Sequence, residues 1–98
     1  MQVFIKLIIK DSIVGDLVMP TRERAGKVIP PIMQSGKVTA SGLFIDARGG
    51  FMVLDVADSK ELSMLLSPLV DVFTITTHPV MPLEELPAVL QMLAEKGL

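Results

Sequence analysis

The chain has no cysteine, no tryptophan and no tyrosine. Disulfides, thiolate catalysis and cysteine metal sites are therefore excluded. Only four phenylalanines supply aromatic rings, and the nine basic residues are scattered rather than clustered. Neither a stacking platform nor a basic stripe for nucleic acid is present. No stretch of about 18 apolar residues runs without a charge or a proline, which excludes a membrane-spanning helix. Lys6 and Lys10 interrupt the first apolar run and no small-residue cleavage site follows, so a cytoplasmic location is expected rather than export. No phosphate loop or dinucleotide fingerprint occurs; Arg48-Gly49-Gly50 is too short to cradle a phosphate.

What the chain has in abundance is apolar side chain. Half of its 98 residues are hydrophobic and the mean hydropathy is +0.57. That length allows one domain over residues 1–98. So small a domain cannot hide that much apolar surface alone, and a partner subunit or a ligand cavity is expected to cover part of it.

Residues 2–10 read as a strand. Val3, Ile5, Leu7 and Ile9 make one apolar face, and Gln2, Phe4, Lys6, Ile8 and Lys10 a mixed one. Both faces hold large groups, so a central strand is expected. Residues 11–20 read as irregular. Thr21 is a plausible N-cap for a helix reaching about Gln34, with Ala25, Val28, Ile29, Ile32 and Met33 on one stripe. Pro30 and Pro31 predict a kink or two abutting pieces. Val38 to about Ala47 reads as a second strand, Arg48-Gly49-Gly50 as a turn and Phe51–Val56 as a third strand, an antiparallel hairpin. Asp58 or Ser59 caps the next helix, with Glu61 placed for a capping box and Leu62, Leu65, Leu66 and Leu69 on its buried side. The β-branched run Val72–Thr77 is the fourth strand, broken by His78-Pro79. Pro82 opens a C-terminal helix whose Leu86, Val89, Leu90 and Leu93 are expected to face inward.

The order predicts an α+β ferredoxin-like β-α-β-β-α-β sandwich: a four-stranded antiparallel sheet over residues 1–80, and a C-terminal helix over 81–98. Two helices cover one sheet face. The other is expected to carry Phe4, Lys6, Ile8, Phe51, Val53 and Asp55, a poor surface for a soluble monomer, so the chain is expected to pair with itself as a homodimer or larger oligomer. A pocket is expected between sheet and partner or between sheet and helices.

Several short motifs carry a family likeness. They are Leu54-Asp55-Val56 at the end of the third strand, Ser59-Lys60-Glu61-Leu62 opening the next helix, Ser67-Pro68-Leu69 before the fourth strand, and the first strand with Lys6. Together they resemble the muconolactone isomerase-like branch of the dimeric α+β barrel superfamily. The resemblance implies a dimeric α+β barrel, often built into a larger ring, and cofactor-free proton shuttling on an unsaturated lactone or a related hydrophobic acid. Val38, Thr39 and Ala40 stand where the isomerases carry aromatic and basic residues, and Thr74 and Thr76 where they carry acidic ones.

Lys6, partly desolvated in a dimer cleft, could act as acid or base, or anchor a substrate carboxylate; otherwise its stem packs and its head reaches water. His78, the only histidine, could shuttle a proton beside Thr74 and Thr76, or simply end its strand. Asp55 could pair with Lys6 or act as a base, or form an ordinary salt bridge. Phe4, Phe51, Thr74 and Thr76 are the candidate substrate contacts. Arg22 and Arg24 could bind a carboxylate at a pocket mouth, or form a polar helix face. Asp46 and Arg48 read as a solvated turn pair, and the seven methionines as adaptable filler. A lone histidine is a weak metal site, and no metal is expected. The rival readings are a non-catalytic small-ligand-binding or structural oligomer, and a haem-degrading or quinone-type monooxygenase of the same superfamily, for which His78 alone could ligate haem.

Overall fold

The computed structural model describes residues 1–11 and 13–97. Strands β1 (Gln2–Ile9), β2 (Val38–Leu43), β3 (Gly49–Asp55) and β4 (Phe73–Val80) form one sheet in the order β2-β3-β1-β4. All three pairings are antiparallel. Helix α1 (Val18–Met33) connects β1 to β2, α2 (Ser59–Leu66) connects β3 to β4, and α3 (Leu86–Glu95) follows β4. This is the ferredoxin-like α+β arrangement that the element order predicts, with β1 central.

The alternation along each strand decides which side is buried. Val3, Ile5 and Leu7 of β1, Met52 and Leu54 of β3 and Phe73 of β4 all point to the helix side and lie in the core. Val56 and Val72, just beyond β3 and just before β4, join them, and Ile32 of α1, Leu66 of α2 and Leu69 of the 3₁₀ turn Ser67–Leu69 close the layer from above. The hydrophobic core is therefore sheet against α1 and α2, as the stripes of the two helices imply.

Several expectations are corrected. Helix α1 begins at Val18, three residues before Thr21, because Pro20 falls within its first turn, where a missing N–H costs no intrahelical bond. Thr21 is not the cap; its hydroxyl donates to the Leu17 carbonyl at 2.6 Å. Of the two outcomes expected at Pro30 and Pro31, two abutting pieces do not form: the helix runs unbroken to Met33. They sit in its last turns, so only the carbonyls of Gly26 and Lys27 lose the donors four residues on. Strand β2 ends at Leu43 and β3 begins at Gly49, so both glycines are strand residues. The tight turn instead places Ala47 at φ 58° and is tied by the Ala47 N–H to the Phe44 carbonyl at 2.9 Å. The Asp46 carboxylate accepts the Arg48 backbone N–H at 3.0 Å, an Asx-type turn rather than a side-chain ion pair. Strand β4 passes through His78 and Pro79 to Val80. It pairs only with β1, and an edge strand accepts a proline because one of its sides has no ladder to complete.

The cap of α2 is the expected one: the Asp58 carboxylate accepts the Glu61 N–H at 2.9 Å. The C-terminal helix departs furthest from expectation. A short 3₁₀ turn, Leu83–Glu85, leads into α3, and no residue of α3 is buried. Leu86, Leu90 and Leu93 are exposed, so the stripe expected to face inward does not pack on its own core.

Candidate functional site

Two places on opposite sides of the sheet can hold chemistry. The first is the open face. Strand register places Phe4 between Val53 and His78, Lys6 between Phe51 and Thr76, and Ile8 between Gly49 and Thr74. Phe4, Lys6, Phe51, Thr74, Thr76 and His78 therefore share one surface. The rings of Phe4 and Phe51 stack with centroids 5.7 Å apart, and His78 tilts against Phe4 at 6.3 Å. Phe51 can lie flat because Gly42 opposite it has no side chain; a Cβ there would run into the Phe51 ring. Lys6 and His78 are diagonal neighbours on adjacent strands, about 7–8 Å apart by sheet geometry.

Asp55 does not join this group. It lies opposite Gln2, four residues along β3 from the partner of Lys6, or about 13 Å away at the rise of a strand. Its carboxylate instead meets the Met1 ammonium at 3.6 Å. Within one chain, register thus keeps Asp55 from pairing with Lys6, and its contact is the ordinary ion pair of the alternative reading. Lys6, Thr74, Thr76 and His78 are all exposed, so within one chain nothing desolvates them.

The second place is a cleft of about 520 Å³ between α1 and the β2–β3 hairpin. Its origin is a meeting of small residues. Ala25 and Gly26 on α1 look across at Ser41 on β2 and Gly50 on β3. Neither layer has side chains there to fill the gap left by two packed elements. Ile29, Met33 and Phe73 add apolar wall. A Cβ at Gly26 would meet nothing within 4 Å, which measures how open the space is. Gly49, by contrast, is buried, and a Cβ there would collide with the Leu7 carbonyl.

Among the described residues, Arg22 is the only charged one lining the cleft and Ser41 the only other polar side chain. Among the described residues Arg22 makes no ion pair, whereas Arg24, two residues on, is held by Asp71 at 2.8 Å. The two arginines opening α1 thus differ: one is tied down on the surface, the other is free at the rim of an apolar hollow. Among the described residues no carboxylate or imidazole lines this cleft, so they bring no acid–base pair to it. Sequence reasoning reached Arg22 and a pocket under the helices, but not Gly26, Ser41 or Gly50 as its walls. The available signal was small residues recurring on both facing elements.

Among the described residues, no group of three or more histidines or acidic residues could hold a metal ion. No helix among them is long and apolar enough to cross a membrane.

Residues 20–94 match the family described as Domain of unknown function (DUF3303). No curated protein matches the chain. Among solved structures, the chain is similar to one assigned as a C-terminal regulatory domain of aspartate kinase from Porphyromonas gingivalis W83, with 13% identity and a TM-score of 0.50, covering 79% of this chain. The chain spans only 49% of that structure. It is also similar to Rv0793 from Mycobacterium tuberculosis, at 8% identity and a TM-score of 0.44, over 83% of this chain and 94% of the other. A third similar structure is an antibiotic biosynthesis monooxygenase, at 16% identity and a TM-score of 0.41, over 83% and 98%. At these identities the likeness concerns fold alone.

Proposed function

We propose that this chain, which belongs to the DUF3303 family, binds a small hydrophobic carboxylic acid in the cleft between α1 and the β2–β3 hairpin. The observation that carries the reading is one unpaired guanidinium, Arg22, at the rim of an otherwise apolar cleft of about 520 Å³. That volume lies within the usual range for small-molecule sites. The apolar walls would take a hydrocarbon body, and Arg22 would take the carboxylate by charge-assisted hydrogen bonds. With no acid–base pair among the described residues of the cleft, binding rather than turnover is the better reading there. Titration calorimetry with octanoate and octanol tests it. The acid binds more tightly than the alcohol, and Arg22→Gln removes most of that preference, a change of about fivefold for a solvent-exposed charge. Equal binding of both, or binding of neither, overturns the proposal.

The open face supports a partner. Phe4, Ile8, Phe51 and Val53 are only half-buried in one chain, and a second copy packed on them would form a homodimer, a dimeric α+β barrel.

A second reading is isomerase-like. Its support is the cluster of Lys6, Thr76 and His78 around the Phe4–Phe51 stack, which a partner copy would enclose. Lys6 would hold or protonate a small unsaturated lactone and His78 would move the proton, without a cofactor. Loss of lactone isomerisation in Lys6→Ala and His78→Ala, with folding intact, supports it; no turnover by the unaltered chain removes it.

A further inference from the structure

Helix α3 leaves the sheet at the corner where Val80 pairs with Gln2, on the edge strand. From there none of its residues is buried and none joins the hydrophobic core. The molecule is correspondingly elongated, 56 × 26 × 22 Å, with a radius of gyration of 16.5 Å. A compact chain of this length would measure about 13 Å. Leu83, Leu86, Leu90 and Leu93 are exposed by 80, 46, 55 and 38%. A ten-residue helix is marginal in water without a surface to pack on.

The open sheet face alone is a small interface. Four strands about 4.8 Å apart, the longest of 8 residues and the shortest of 6, span at most roughly 19 by 26 Å, under about 500 Å². A stable interface needs about 800 Å² from each partner. A helix of ten residues adds a strip about 15 Å long to each side of a two-fold pair, once as the arm given and once as the arm received. Charge points the arm at the body rather than at another arm. Residues 1–80 hold eight basic and eight acidic side chains, whereas 81–98 hold Glu84, Glu85 and Glu95 against Lys96 alone. Two acidic arms repel each other; the open face, where Lys6 and Asp55 balance, does not.

We infer that α3 is an exchanged arm: in a pair of chains, each lays its leucine stripe on the other copy at the margin of the open sheet face. This rests on the dimer reading above and supplies the contact that makes it stable.

The absence of cysteine makes the test clean. Full-length chain carrying Leu90→Cys is coupled to a benzophenone maleimide, and nitrogen-15-labelled and unlabelled chains are mixed and irradiated. Crosslinked peptides joining α3 of one isotope to a sheet strand of the other are expected. Crosslinks confined to one isotope, or none to the sheet, overturn the inference. In parallel, sedimentation compares the unaltered chain with Leu90→Glu/Leu93→Glu, which cannot disturb a core that α3 does not touch. Dimerisation weaker by roughly 100-fold is expected for two central apolar contacts replaced by charge. An unchanged dimer leaves the sheet face standing and removes the arm, and a monomeric unaltered chain removes both.

Discussion

Glycine does opposite work at two positions in this chain. At Gly49 the Leu7 carbonyl occupies the space a side chain would need, so Gly49→Ala forces β1 and β3 apart. A loss of about 1–3 kcal/mol in urea unfolding is expected, the usual cost of overpacking a filled site. At Gly26 there is only open cleft, and the backbone is ordinary helix. Gly26→Ala should therefore raise stability by about 0.5–1 kcal/mol, because alanine restricts the unfolded chain and costs nothing in the folded one. The opposite signs are measurable by the same unfolding experiment. The sequence does not show these roles: Gly49 reads as a turn residue, and Gly26 falls within the predicted helix with nothing to mark it. What distinguishes them is the neighbouring strand or helix, which is a long-range fact. The faces of single residues were legible: alternation put Phe4, Lys6, Phe51, Val53 and Asp55 on one side, and register agrees. The separation of Asp55 from Lys6 was not legible, since it depends on how β1 and β3 align rather than on which side each residue faces.

At the scale of elements, local signals worked where one residue decides. Asp58 caps α2 as its position before the leucine stripe implies, and Asp58→Ala should cost about 1 kcal/mol and fray the first turn, read by amide hydrogen exchange. Proline signals misled because their effect depends on place. Pro20 begins a helix, Pro79 sits in an edge strand, and Pro30 and Pro31 lie in a helix that continues through them. Pro31 is exposed and leaves the Lys27 carbonyl without its helical donor, so Pro31→Ala should stabilise α1 by roughly 1–3 kcal/mol in thermal or urea unfolding. Pro30 differs in that it also walls the cleft.

For the whole molecule, the β-α-β-β-α-β order was sufficient to predict the sheet and the layer of helices, because periodicity and turn chemistry both operate over short spans. The docking of α3 was not predictable. Its stripe says only that it packs on something, and in this structure that something is not its own sheet. The cleft was legible as one of two expected pockets, under the helices, with Arg22 a candidate at its mouth, but not in its position. Its position follows from small residues on two elements that meet only after folding. The consequence is a molecule with two distinct surfaces: Phe4, Lys6, Phe51, Thr74, Thr76 and His78 lie on the open face, and the cleft with Arg22 lies under α1 on the opposite side of the same sheet. Amide chemical-shift mapping of the nitrogen-15-labelled chain during titration with octanoate separates the two most directly. Shifts concentrated in Arg22–Met33 of α1 and in the β2–β3 hairpin are the predicted result. Shifts confined to Phe4, Lys6, Thr76 and His78 on β1 and β4, or no shifts at all, would contradict it.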